Sequence, residues 1–241
     1  MLYLIGLGLN ERGISKEGML ALEKCSKVYL ENYTVNFPYA FEELKLGKNE
    51  RLKIVPLERK DVESNLLIKE ATSIKVALLV YGCPLFATTH TSLIMDARAQ
   101  GVKTKVIYSA SIFDAVAETG LQLYKFGKTT SMPAWKKSFT PDSFIDVVKD
   151  NQSIKAHSLI LTDIGLSLSE ALNQLEISLK NKNLNVDKII VCSQMGTDNS
   201  RVIYDAIENL KKIKDVRMPF CLIIPSELHF AEKEFLESIK K

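Results

Sequence analysis

Two hydrophobic rhythms alternate along the chain. Continuous apolar runs of strand length are followed by stretches in which apolar residues recur every three or four positions, the spacing of one helical face. Leu2–Gly8 is such a run and ends in a glycine turn. Lys16–Cys25 then sets Met19, Leu22 and Cys25 on one helical face, and Lys27–Leu30 reads as a second strand. Val76–Tyr81 is apolar throughout, as in a strand covered on both faces, and stops at Gly82-Cys83-Pro84. The pattern predicts a helix from about Thr89 to Gln100, stopped by Gly101. It predicts a strand over Thr104–Tyr108 and a helix opening at Ser111, with Ile112, Ala115, Val116 and Thr119 on its apolar side.

The second half keeps the rhythm. Lys125–Lys137 is less regular and reads as a strand followed by an exposed loop. Thr140 is placed to cap a helix whose first residue is Pro141 and whose apolar face is Phe144, Val147 and Val148. Ser158–Thr162 is a strand. Ser167 and Glu170 have the spacing of a capping box that opens a helix to about Leu179. Lys188–Cys192 is a strand turning at Met195-Gly196-Thr197. Val202, Ile203, Ala206, Ile207 and Leu210 have helical spacing, Phe220–Ile224 is a strand, and a last helix starts near Glu227.

Alternation of this kind predicts an α/β protein with mainly parallel sheets. Its 241 residues suit two domains, and a break near Ala110 divides them into 1–110 and 111–241. Composition is that of an ordinary globular chain, 46% apolar and 25% charged, and no apolar run reaches the length of a membrane span. The amino terminus has no basic region and no cleavage site of a signal peptide, so the expected location is cytoplasmic. The net charge of +3 is too small and too dispersed to suggest a nucleic-acid groove. Cys25, Cys83, Cys192 and Cys221 are too far apart in sequence for a metal knuckle or redox pair, His90, His157 and His229 are equally scattered, and no metal site is expected. Cys83 is the cysteine that its loop would expose.

Ligands of open α/β sheets bind beyond the carboxyl ends of the strands. The turns to consider are therefore Leu7-Gly8-Leu9-Asn10, Gly82-Cys83-Pro84-Leu85, Ser109-Ala110-Ser111-Ile112, Thr162-Asp163-Ile164 and Gln194-Met195-Gly196-Thr197. Glycine lets backbone approach a ligand closely, and backbone polar groups with apolar side chains make a slot for something flat and amphipathic, such as a nucleoside. Ile5-Gly6-Leu7-Gly8-Leu9 begins a dinucleotide fingerprint but lacks its third glycine. There is no Walker loop, HExxH or GxSxG, so hydrolase and kinase chemistry find no support.

The GLGL turn at Gly6–Leu9, Pro84-Leu85 with Ala87-Thr88-Thr89-His90, Ser111-Ile112, Thr119-Gly120-Leu121, Tyr124-Lys125-Phe126-Gly127-Lys128, and Ile224-Pro225 with Leu228-His229 and Glu232 together resemble the diphthine synthase family. That family is a branch of the tetrapyrrole-methylase-like S-adenosylmethionine-dependent methyltransferases, and the resemblance runs from Met1 to about Phe235. It implies two α/β domains with S-adenosyl-L-methionine in the inter-domain cleft, a homodimer, and S-adenosyl-L-homocysteine as product. The implied substrate is elongation factor 2, whose 3-amino-3-carboxypropyl-histidine is methylated, up to three times, on its amino group in diphthamide biosynthesis. Carried over position by position, cofactor contacts fall on Leu9, Cys83, Phe86, Ser111, Ile112, Thr162, Met195 and His229.

Two departures stand out. The family has Gly-Asp-Pro where this chain has Gly82-Cys83-Pro84, and the segment Ile164-Gly165-Leu166-Ser167 is shorter than the family's. Methyl transfer from a sulfonium to an amine needs positioning and exclusion of water more than a strong base. No catalytic triad is expected and no general base is identified; Asp163 is a candidate for orienting cofactor or amine. Lys125, Lys128, Lys136 and Lys137 around Trp135 offer a basic face for a protein substrate. The alternatives are a precorrin-type tetrapyrrole methyltransferase and a non-catalytic homologue that has lost its cofactor, for which Cys83 is the support.

Overall fold

The computed structural model of the protein describes residues 1–44, 46 and 53–239. The chain forms two compact units, Met1–Asp114 and Ala115–Lys241. The elements of the first are β1 (Leu2–Gly6), α1 (Lys16–Leu22), β2 (Lys27–Glu31), β3 (Ile54–Leu57), α2 (Arg59–Val62), α3 (Leu66–Ala71), β4 (Val76–Val80), α4 (His90–Ala99), β5 (Thr104–Ile107) and the start of α5 (Ile112–Ala115). Those of the second are β6 (Thr130–Met132), α6 (Phe144–Ser153), β7 (Ser158–Thr162), α7 (Leu168–Asn181), β8 (Ile189–Ser193), β9 (Arg201–Asp205), α8 (Ile207–Leu210), β10 (Phe220–Ile224) and α9 (Phe230–Ser238).

The first sheet has the order β3-β2-β4-β1-β5, with every described pair parallel. Side chains alternate across it with period two. Leu2, Leu4, Val76, Leu78 and Val80 pack on one face with α3 and α4 residues such as Leu67, Ile68, Leu93 and Ala97. Tyr3, Ile5, Ala77 and Leu79 pack on the other with Ala21 and Leu22 of α1. Both faces are covered, which is why β1 and β4 read as unbroken apolar runs.

The second sheet, β6-β7-β10-β8-β9, departs from the parallel expectation. Only β6 and β7 run parallel; β10 lies between β7 and β8 and opposes both, and β9 opposes β8. Its three central strands, β7, β8 and β10, are nevertheless largely apolar runs, because covering by α6 and α7 on one face and burial on the other sets that pattern whatever the strand direction. The residues read as one helix from Val202 to Leu210 divide instead into β9 and α8. β-branched Val202 and Ile203 favour an extended edge strand along β8, and only the last turn is helical. The helix expected from Pro141 begins at Phe144, after Ser143, and the last helix begins at Phe230 rather than near Glu227.

All four cysteines are free and buried, Cys83 among them at 3% exposure, against the expectation of an exposed thiol. Cys192 and Cys221 stand opposite each other on β8 and β10. Burial and the neighbouring Cys221 push the Cys192 thiol well up, so it behaves as a small core group. Among the described residues no group of three or more His, Cys, Asp or Glu side chains could hold a metal ion, and no helix is long and apolar enough to cross a membrane.

Candidate cofactor site

The first unit gathers three turns at the carboxyl edge of its sheet. β1 is hydrogen-bonded to β4 on one side and β5 on the other, so the turns that follow them are neighbours. Leu7 N–H donates to the Val80 carbonyl at 2.8 Å. One step further the two turns pair directly: Gly82 N–H donates to Gly8 O at 3.0 Å, and Gly8 N–H to Gly82 O at 3.3 Å. Both glycines have positive φ, +72° and +68°, a conformation that any Cβ would strain. The turn after β5 joins them through Ser109, whose hydroxyl donates to Gly13 O at 2.7 Å. The Tyr81 hydroxyl holds the other side of the first turn, donating to Leu9 O at 3.1 Å.

Five of the predicted site residues therefore meet at one edge: Leu9, Cys83, Phe86, Ser111 and Ile112. Leu9 and Cys83 are buried, while Phe86 is 45% exposed and packs edge-on against Phe113, with ring centroids 5.0 Å apart. Ser111 is buried and already bonded; its N–H and hydroxyl both go to Asp114, at 2.7 and 3.1 Å, and open α5. A Cβ at Gly82 would come nearest to Ser111, at 3.8 Å, so the turns after β4 and β5 lie close to each other. The lining is backbone amide, small polar and aromatic, with no carboxylate at position 83. It suits a nucleoside with a polar tail, held by backbone groups and aromatic contact.

The second unit places its three predicted residues differently. β7 and β8 both oppose β10, so Thr162 and Met195 flank the start of β10 at one edge of that sheet. The Thr162 hydroxyl donates to Phe220 O at 2.6 Å. Met195 is buried, and its sulfur accepts from the Ser200 hydroxyl at 3.4 Å. His229 follows the other end of β10 and is the N-cap of α9, its Nδ1 accepting from Ala231 N–H at 3.4 Å. Asp163, a candidate for orienting a ligand, uses both oxygens to hold its own turn, accepting from Ala134 N–H at 3.0 Å and Ile164 N–H at 2.9 Å.

The Lys125 and Glu232 motif positions explain each other. Lys125 does not belong to an exposed basic face: its Nζ donates to Glu232 Oε2 at 2.5 Å and to Glu227 O at 2.8 Å. Glu232, 1% exposed, also accepts from Gln122 N–H at 2.9 Å and His229 N–H at 2.7 Å. His157 Nε2 lies 3.2 Å from its other oxygen, while His157 Nδ1 accepts from Ser226 N–H at 2.9 Å. An Nδ1 that accepts cannot also carry a proton, so His157 is the neutral Nε2–H tautomer. Burial pushes its pKa down, consistent with that state. For Glu232, burial alone would raise the pKa; Lys125, the two backbone donors and His157 outweigh it and hold the carboxyl down at about 2. Sequence spacing gave no sign of this knot, because its members lie 75 and 107 residues apart.

Comparison with known proteins agrees with this architecture. The family model of Tetrapyrrole (Corrin/Porphyrin) Methylases matches residues 1–211. The diphthine synthase of Methanocaldococcus jannaschii is 36% identical, over 98% of this chain and 98% of its own. The diphthine methyl ester synthase of Dictyostelium discoideum is 33% identical, over 100% of this chain and 98% of its own. A solved crystal structure of diphthine synthase superposes with a TM-score of 0.88 at 34% identity, covering 99% of this chain and 95% of its own.

The Glu232 knot predicts the acid limb of stability. A carboxylate whose pKa is depressed on folding stabilises the protein above its unfolded value, near 4.3, and loses that contribution as pH falls toward the folded value. A fall to about 2 makes the contribution on the order of 3 kcal/mol at neutral pH. Neutral, buried His157, whose pKa is lowered, adds a loss on the same side. Glu232→Gln is expected to be less stable than wild type at neutral pH and to lose less on acidification between about pH 5 and pH 2. Urea unfolding across that range checks it; equal acid slopes for the two proteins would contradict it.

Proposed function

Because the chain belongs to the tetrapyrrole methylase family and, within it, to the diphthine synthases, we propose that it is the S-adenosylmethionine-dependent methyltransferase that methylates the 3-amino-3-carboxypropyl-histidine of elongation factor 2. The observation that carries this reading is the meeting of the Gly8, Gly82 and Ser109 turns, which gathers five of the expected cofactor contacts at one sheet edge. The bound cofactor supplies an electrophilic methyl group on sulfur, and the protein supplies binding, orientation and dryness.

Leu9 and Ile112 offer apolar contact, Phe86 an exposed aromatic face, and the turns their backbone groups. Thr162 and Met195 are the proposed contacts from the second unit. His229 is exposed, and with Nδ1 engaged in capping α9 the contact it offers is through the rest of its ring. Holding donor and amine in near-attack geometry supplies roughly 7–11 kcal/mol without any base at the attack step. Only the neutral amine attacks, so each round begins with loss of a proton from the ammonium to water. The same membership supports a homodimer that works in the cytoplasm. Full-length identity to diphthine synthases favours this reading over a precorrin substrate. The methyl ester named for the Dictyostelium discoideum relative gives a specific second reading, in which a carboxylate oxygen is also an acceptor. Mass analysis of modified elongation factor 2 separates the two, since an ester methyl is released by mild base and a methyl on nitrogen is not.

Cys83 is the test of the site. The resemblance places an Asp where this chain has buried Cys83. If that carboxylate holds the cofactor's amino group, its loss forgoes one charge-assisted hydrogen bond, worth about 1.5–3 kcal/mol, or roughly tenfold to a hundredfold in affinity; if the contact is through backbone, little changes. Calorimetric titration with S-adenosylhomocysteine is expected to show binding in the micromolar range at one site per chain. Cys83→Asp is expected to tighten it by about tenfold or more and, by burying an unpaired charge, to lower the stability of the ligand-free protein. Absence of binding by folded wild-type protein would contradict the proposal.

The protein substrate needs an exposed landing surface. Lys136 and Phe139 pair backbone to backbone in both directions at 2.9 Å, and the Trp135 indole anchors the hairpin by donating to Pro141 O at 3.0 Å. Lys136, Lys137 and Phe139 are exposed at its tip. Replacing Lys136 and Lys137 together by Glu is expected to slow methylation of intact elongation factor 2 by about tenfold with S-adenosylhomocysteine affinity unchanged. An unaltered rate at low salt would remove this hairpin from the encounter.

A further inference from the structure

We infer that His90 is a positioning residue for the cofactor, acting through the carbonyl of Pro84 in the turn that carries Cys83 and Phe86. The inference rests on the cofactor reading above and goes beyond it.

The turn folds back on a single acceptor. Pro84 O receives the Thr88 hydroxyl at 3.0 Å and faces His90 Nδ1 at 2.9 Å. Phe86 N–H donates to Cys83 O at 3.2 Å, and Ala87 sits at φ +53°, in the left-handed region that a residue with a Cβ rarely adopts. A backbone held there needs surroundings that over-determine it. The two bonds to Pro84 O, from the residues just after Ala87, do so.

His90 is itself held from behind. It is 2% exposed at the first position of α4, and its Nε2 lies 2.7 Å from Glu31 Oε2 at the carboxyl end of β2. Glu31 is 1% exposed, and the Thr34 hydroxyl donates to its other oxygen. Nδ1 is within hydrogen-bond geometry of Pro84 O, whereas Nε2 and Glu31 Oε2 are in ion-pair contact without a hydrogen bond, and a doubly protonated imidazolium places a positive charge against that carboxylate. Burial alone would drive the His90 pKa down; the Glu31 carboxylate and the Pro84 carbonyl outweigh it and hold the pKa above its usual value. His157 differs: its Nδ1 accepts from Ser226 N–H, and burial pushes its pKa down.

A buried ion pair is a poor source of stability, because desolvating two charges offsets most of their attraction. What the pair does provide is direction. Glu31, at the end of β2, favours the charged imidazole, and the imidazole holds one carbonyl of the turn through Nδ1. The turn is anchored at its start by the Gly8–Gly82 pairing and at Pro84 by His90, so Cys83 and Phe86 are set between a sheet edge and a buried charge.

The two nitrogens can be tested apart. His90→Asn keeps a donor near the Nδ1 position but cannot reach Glu31; His90→Gln reaches toward Glu31 and gives up the donor to Pro84. Glu31→Gln is combined with His90→Asn so that no buried carboxylate is left unpaired. S-adenosylhomocysteine affinity is measured by calorimetry and thermal midpoints in parallel, on full-length protein shown to be folded by circular dichroism. The expected result is that the Glu31→Gln/His90→Asn protein binds within about threefold of wild type, while His90→Gln binds about tenfold more weakly with a midpoint no lower than the double variant's. Thr88→Val, which removes the other donor to Pro84 O and perturbs no charge, is expected to weaken binding severalfold. It carries the test if His90→Gln does not fold. Wild-type affinity in His90→Gln, or in Thr88→Val where it stands in, would overturn the inference. So would affinity losses that follow the thermal midpoints whichever nitrogen is replaced. Either result leaves the cofactor reading standing, provided wild type binds; wild type that does not bind overturns both.

Discussion

The two hydrogen bonds between Gly8 and Gly82 are the constraint on which the site depends. Parallel strands diverge once their ladder ends, and the loops after them are free to go separate ways. Here the β1–β4 pairing is carried one step past the ladder, by two residues whose positive φ lets the backbone turn back on itself. β1 lies between β4 and β5, so fixing the first two turns brings the third within reach, and the Ser109 hydroxyl closes the set. The backbone frame of the candidate slot follows from sheet order and two glycines, and one serine hydroxyl completes it.

Electrostatics then stiffens the parts that backbone pairing leaves loose, and each unit does so with one buried carboxylate and one buried histidine. In the first unit the ion-pair partner of Glu31 among the described residues is His90, which supplies the positive charge. In the second unit Lys125 already neutralises Glu232, so His157 stays neutral and spends its second nitrogen on Ser226 N–H. Similar residue types thus take opposite protonation behaviour from their surroundings. One pair braces a turn of the candidate site. The other ties the Gln122–Phe126 segment to the start of α9, and that tie accounts for motif positions that sequence alone would assign to binding.

Burial is legible in the sequence to the extent that it follows from apolar periodicity: β1, β4, β5, β7 and β10 lie within runs marked by hydrophobicity, and β2 and β8 overrun theirs by one residue. Strand direction is not, since β10 is as apolar as β4 and opposes both of its neighbours. β3, α2 and α3 were not read at all; Ile54–Leu57 contains Pro56 and lies at a sheet edge, where the apolar signal is weak. The turns of the first unit were legible because glycine punctuates them. The exposure of Cys83 was misjudged because a turn residue can point inward, and the role of Lys125 because its partner lies 107 residues away. Nothing near His90 in sequence announces Glu31.

The three turns of the first unit are the proposed cofactor platform, and amide hydrogen exchange tests that most directly. With saturating S-adenosylhomocysteine, the segments around Gly8–Gly13, Gly82–Phe86 and Ser109–Ile112 should slow together, beyond any general slowing of the fold. Protection confined to the second unit, or spread evenly with no excess at these turns, would contradict it.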